Sequence, residues 1–307
     1  MKTSFLEPDD RTLHGHFSRD FPPVLTIDPG DSVRLRTLDA WWSSGPYAGG
    51  TIDERPRVPQ HKHGYGHALL GPIEIRGARA GMVLEVRIDA VIPAAWGACA
   101  ARQRERNARY GIEGDGGVHA WELDPIAMTG RNQHGHTVTL RPFLGVMGMP
   151  PAEPGLHSTI PPRWHGGNLD CKELVAGSVL YLPIPVDGAL FSVGDGHAAQ
   201  GDGEVAGTAI ECPMERVDLT FGLRSDWPID GPVAHTPAGW LTMGVADDLD
   251  EATGRALHSM FGLIERLHGV SRADAVLLAG VAVDLRITQI VNGVVGVHAV
   301  LPPTAIR

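Results

Sequence analysis

The chain has 307 residues, of which 43% are hydrophobic and 20% charged. This is a globular composition, long enough for roughly two compact units of about 150 residues each, and it argues against intrinsic disorder. A formal net charge of -10 with a pI near 5.8 provides no basic surface to neutralise a phosphate backbone, so no nucleic-acid partner is expected. Three cysteines, Cys99, Cys171 and Cys212, are odd in number and lack CxxC spacing, so neither a disulfide framework nor a cysteine zinc site is expected.

Taken in chain order, the N-terminal MKTSFLEPDDRTLHGH has no apolar h-region. No segment offers the roughly 18 uninterrupted apolar residues of a membrane span. A cytoplasmic protein without a membrane partner is expected. In LHGHF, His14 and His16 alternate, as either a ligand pair or one face of an edge strand. With 39 Gly and 24 Pro spread along the chain, short strands are predicted over the first two thirds. Residues 22–39, with a Pro-Gly-Asp turn, and 71–88, where Leu84, Val86 and Ile88 alternate with Glu85 and Arg87, read as hairpins of a sandwich or barrel. Residues 173–186 repeat the rhythm. The charged, Gly-rich segment 101–117 reads as a surface loop.

The chain changes character near Cys212, so a β-rich body over 1–212 and a mixed α/β lobe over 213–307 are expected. In the second part, 247–267 opens with acidic residues and then sets Ala256, Met260, Leu263, Ile264 and Leu267 at helical spacing. Residues 271–279, capped by Ser271, form a second helix, and 283–290 and 294–300 a closing pair of strands. The fold class is therefore mainly β, a β-sandwich-like body with a smaller α/β C-terminal lobe.

Chemistry is densest in residues 187–211, DGALFSVGDGHAAQGDGEVAGTAIE, where glycines allow tight turns that bring Asp195, His197, Gln200, Asp202 and Glu204 together. Asp195 and His197, two apart on an extended strand, face the same way and can share a metal or a proton. The GGNLD run beginning at Gly166 can deliver Asp170 to the same place. Three ligands and an open position make a catalytic metal site. Taken singly, each acid also reads as a turn or a solvated loop residue. Glu204, in GDGEV, reads as a general base in a partly desolvated place or as a surface glutamate beside a turn. His67 can reach the cluster or be bonded at a strand end, and His61, His63, His157 and His298 carry the same two readings. Trp164 and Phe191 read as pocket walls or core. Cys171 lacks the partners of a nucleophile.

GGNLD at Gly166, VDGALFSVGDGHAAQGDGEVAGTAIE at 186–211, RPFLGVMG at Arg141, HALLGPIEIRGARAG at His67 and VDLRITQIVNGVVGVHA at Val283 together resemble the acetamidase/formamidase family over nearly the whole chain. The resemblance implies a β-sandwich-like body with a small α/β lobe, hydrolysis of short aliphatic amides to a carboxylate and ammonia, and a homo-oligomer. It places the family's acid and histidine motif on Asp170, Asp195, His197, Gln200 and Glu204, with His67 as a companion. On that basis a divalent metal, zinc first and manganese or calcium as alternatives, is expected on Asp170, Asp195 and His197. Glu204 and Gln200 are the expected catalytic groups. Segment 101–115 and the histidines within 60–67 depart from the family pattern. A larger amide, carbamate or cyclic imide, or a non-catalytic metal-binding β protein, are the alternative readings.

Overall fold

Alternation along the strand Val83–Pro93 sets the layering. Leu84, Val86 and Ile88 point into the main core, whereas Val83 points into a second core under the helices. The computed structural model describes residues 2–59, 66–114 and 116–307. Val83–Pro93 lies in a nine-stranded sheet ordered Thr3–Leu6, Ser32–Leu35, Met214–Arg224, Val83–Pro93, Val179–Pro183, Val233–Thr236, Gly239–Ala246, Val295–Leu301, Asp284–Gln289.

One face of this sheet packs on a six-stranded sheet. In that sheet Gly166–Asn168, Phe143–Gly148, Phe191–His197 and Leu69–Ile75 are successive neighbours, and Leu13–His14 and Leu25–Ile27 both pair with Leu69–Ile75. Leu70, Ile73, Leu144, Met147, Phe191 and Val193 from the smaller sheet meet Leu84, Val86, Leu182 and Phe221 from the larger. This is the expected sandwich. Apolar burial on this scale is the main drive for its assembly, at roughly 25 cal/mol per Å² removed from water.

The opposite face of the large sheet carries the helices Leu249–His268 and Arg272–Ala282. Asp248 caps the first by accepting from the Glu251 N–H, Gly269 ends it in the left-handed region, and Ser271 caps the second. Ala256, Met260, Leu263 and Ile264 are buried as their spacing predicts, but Leu267, at the last turn, is exposed. The expected strand pair at the C-terminus is Asp284–Gln289 with Val295–Leu301, antiparallel. Sheet pairing links the two sides of residue 212, because Met214–Arg224 pairs with Val83–Pro93, with register shifts between Met214 and Arg216 and between Asp218 and Leu219.

The two expected hairpins are not hairpins. Leu25–Ile27 joins the six-stranded sheet and Ser32–Leu35 the nine-stranded one. Likewise Leu69–Ile75 and Val83–Pro93 lie in different sheets. Alternation specifies which face is buried, not which strand is the partner, and these turns are corners between layers. Segment 101–117 contains a short helix, Arg104–Arg109, where only loop was expected. A four-stranded sheet, Thr137–Thr139, Thr129–Asn132, Val118–Asp124 and Trp96–Ala100, flanks the sandwich. It meets the six-stranded sheet where Glu211 bridges Ala98 and His197.

Candidate metal and active site

The strand Phe191–His197 begins apolar and ends polar. Phe191 and Val193 fill the core, and the same alternating face continues as Asp195 and His197, at the point where the sandwich meets the four-stranded sheet. Asp170 lies two residues beyond the end of the strand Gly166–Asn168. Glu204 sits in the turn after the motif, and Glu211 pairs with His197 across a bridge. Asp170, Asp195, Glu204 and Glu211, with His197, are between 1% and 7% exposed.

Their backbones are strained. Asp170, Asp195 and Glu204 have φ of +48°, +60° and +46°, in the left-handed region that side chains disfavour, at roughly 1 kcal/mol or more each. Such conformations persist where surrounding structure imposes them, here on three acids of one buried cluster. Gly145 forms its floor. A methyl group there would lie 2.5 Å from Asp195 Oδ2, 2.7 Å from Asp170 Oδ1 and 2.9 Å from His197 Cε1.

Four carboxyl groups around one imidazole leave an excess of negative charge out of contact with water, a costly arrangement without protons or a cation. Burial and then the charge of Glu204 hold the Asp170 carboxyl well above the usual carboxylate range. Burial pushes Glu204 up to about 7, and the same effect raises Glu211. Asp195 is also disfavoured by burial, but His197 and then His67 outweigh that and hold it below the usual range. His197 is raised well above an ordinary histidine, because Glu211 and Asp195 overcome its burial.

His197 Nε2 lies 3.2 Å from Asp195 Oδ1, to which it donates, and 3.2 Å from Glu211 Oε2, so in the neutral ring that a metal ligand must be, that nitrogen carries the proton. Nδ1 then presents a lone pair. It has no hydrogen-bond partner, nor does Asp170 Oδ1, which faces it at 3.9 Å. Two buried, unpartnered ligand atoms facing each other suit a cation, which would take the place of the protons that these groups hold strongly without one. Ligand atoms of Asp170, Asp195 and His197 all lie within 4.8 Å of one another, so these three residues fit a divalent metal.

The structure thus brings Asp170, Asp195, His197 and Glu204 together as the sequence suggested. Gln200 donates from Nε2 to the Asp170 backbone carbonyl at 2.9 Å, and its buried Oε1 has no partner. His67 is bonded to Thr159 Oγ1 at 2.9 Å and acts on Asp195 through its charge. His14 is committed elsewhere, to Ser192 Oγ and the His16 carbonyl, so it forms no ligand pair at this centre. His157 bonds the Glu153 carbonyl and His298 bonds Thr288. His61 and His63 lie outside the described residues. Phe191 is core, packed on Phe221, and the exposed Trp164 lines a surface cavity with Met243 and Arg255. Cys171 is fully buried and its thiol is pushed up to about 12, which makes it inert.

Sequence reasoning missed three participants. Gly145 sits inside the apolar run RPFLGVMG, Glu211 only ends the glycine-rich stretch, and Asn292, from the C-terminal segment, donates to both Asp170 and Glu204.

A model of the acetamidase/formamidase family matches residues 2–158 and 152–306. A formamidase of Methylophilus methylotrophus is 26% identical over 274 residues, covering 71% of this chain and 65% of that protein. Solved acetamidase structures are similar throughout. The one from Yersinia enterocolitica has 26% identity and a TM-score of 0.86 over 99% of this chain and 93% of that one. The one from Bacillus halodurans has 25% identity and a TM-score of 0.85 over 96% of each. With nearly every residue matched by the family model and the same fold in these solved structures, the chain belongs to the acetamidase/formamidase family.

Proposed function

We propose that this chain cleaves short aliphatic amides of the formamide and acetamide type to a carboxylate and ammonia, with a divalent cation, zinc in the first instance, held by Asp170, Asp195 and His197. Family membership makes it a hydrolase acting on linear amides. The observation that carries the finer reading is the facing pair of buried, unpartnered ligand atoms, Asp170 Oδ1 and His197 Nδ1, above the Gly145 floor.

When bound, such a cation lowers the pKa of a water from about 15.7 to near 7 and polarises a carbonyl oxygen. The chain's own groups do the rest. Asp195 accepts from His197 Nε2 and the Glu211 carboxyl faces the same nitrogen at 3.2 Å, an arrangement that orients Nδ1 to ligate. Glu204, pushed up to about 7 by burial, is matched to taking a proton from the attacking water and returning it to the amide nitrogen as ammonia leaves. The free Gln200 Oε1 can accept the amide N–H and orient the C–N bond. The near-complete burial of these groups supports a small substrate.

Ammonia release from formamide, acetamide and propionamide tests the proposal. Activity is expected to disappear on chelation, and in Asp195→Ala together with metal binding. Glu204→Gln should lose turnover but keep both the fold and the metal. Full activity in a preparation stripped of metal overturns the metal-dependent reading.

A further inference from the structure

Asn292 lies 122 residues beyond Asp170, yet its side-chain amide points into the centre of the site. Its Nδ2 donates to Asp170 Oδ2 at 2.5 Å and reaches Glu204 Oε2 at 3.4 Å. Where the facing carboxyls are ionised, the NH2 end of the amide is the one that pairs with them, since only it can donate. The two protons of that group match the two acceptors.

The segment carrying Asn292 is anchored. Gln289, fully buried, accepts at Oε1 from the N–H groups of Val291 and Asn292 and donates from Nε2 to the Val294 carbonyl. Gly203 N–H donates to the Thr288 carbonyl, and Ile290 N–H donates back to the Gly203 carbonyl. Arg106 donates to the Ile290 carbonyl at 2.7 Å. The turn bearing Glu204 and the turn bearing Asn292 are therefore one laced unit, which meets Asp170 through both the Asn292 amide and the Glu204 carboxyl.

We infer that Asn292 is a positioning residue: by engaging Asp170 Oδ2 it turns Oδ1 toward His197 Nδ1 for the cation, and by the same amide it fixes Glu204 relative to that ligand. The inference rests on the metal reading of the site. Groups that hydrogen-bond to metal ligands typically contribute 10- to 100-fold in metal affinity or activity. An uncharged amide does this without adding to the excess of negative charge, whereas a carboxylate at the same place would compete for the same cation and repel both neighbours.

The test compares the wild-type protein with Asn292→Ala, the isosteric Asn292→Asp, and Asp195→Ala. It uses zinc affinity by chelator competition, thermal unfolding of the metal-free proteins, and acetamide kinetics at saturating zinc. Asn292→Ala is expected to raise the zinc dissociation constant about 10- to 100-fold. It should also lower kcat about tenfold or more with KM within about twofold, because the amide acts on Asp170 and Glu204 and not on substrate. Asn292→Asp keeps the shape but not the donor and should lower kcat likewise, which separates positioning from packing. A lower unfolding temperature with wild-type zinc affinity and wild-type kcat in the folded variants overturns the inference and leaves the metal site standing. Absence of any Asp195-dependent zinc binding in the wild-type protein overturns both.

Discussion

The floor of the site is a single missing side chain. Gly145 has no left-handed backbone to protect, so alanine there is conformationally allowed, but its methyl would have to displace the Asp195 and Asp170 carboxylates and the His197 ring. A shift of about 1 Å in catalytic groups costs on the order of 100-fold in rate. Gly145→Ala is therefore expected to lower amide turnover at least about 100-fold while its circular dichroism stays that of the parent. A variant within threefold of wild type would show that the floor has room to spare. A second prediction concerns His165, buried beside Trp164, whose pKa burial and then Arg163 lower to about 4. The unfolded chain takes up a proton near pH 6.5 and the fold refuses it until about 4, so this residue stabilises above pH 6.5 and the contribution is lost as pH falls through that window. The loss is on the order of 2 kcal/mol at pH 4 to 5. Urea titrations from pH 7 to 4.5 should show a shallower decline in His165→Gln than in wild type, and identical slopes would remove His165 from the account. The site was legible only in part. Asp195, His197 and Glu204 announce themselves by crowding between glycines in one short stretch, and Asp170 by the glycine pair before it. Gly145 is invisible in an apolar run, and Asn292 in an ordinary polar turn, because their roles exist only once distant segments meet.

Elements were read better than their partners. The helix expected at 247–267 is Leu249–His268, and the one at 271–279 is Arg272–Ala282, since acidic first turns, Asp and Ser caps and a glycine stop are local signals. Which strands pair is not local. Residues 22–39 and 71–88 each contain two strands around a turn, yet in both cases the strands part into different sheets, because burial on the core face is satisfied equally well by either layer. Close approach of elements is set by small residues. A Cβ at Gly244, in Gly239–Ala246, would lie 1.9 Å from the Ala252 carbonyl oxygen and 2.6 Å from the Ala256 nitrogen, both main-chain atoms of the helix Leu249–His268. Main chain cannot swing aside as a side chain can, so Gly244→Ala should cost about 1–3 kcal/mol and lower the denaturation midpoint, leaving amide turnover at the remote site unchanged in the folded fraction. An unaltered midpoint would mean that the helix layer shifts freely over the sheet.

At the scale of the whole molecule, the site is where the chain's separate parts converge. Asp170 and Asp195 come from the six-stranded sheet, Glu211 from its junction with the four-stranded sheet, and Asn292 from the turn between the last two strands of the nine-stranded sheet. The acids and the imidazole lie before residue 212 and Asn292 far beyond it, so neither side of the expected division at 212 holds the whole centre. Four buried carboxyl groups around one imidazole need protons or a cation to offset their charge, and on the proposed reading a cation does so. The most direct measurement is zinc titration of the metal-free protein, following acetamide hydrolysis and thermal unfolding in the same samples. Ammonia release should appear from nothing and saturate near one zinc per chain, with stability rising by about 2.7 kcal/mol at free zinc one hundred times the dissociation constant. Hydrolysis already complete before zinc is added, and unchanged by it, would contradict the account.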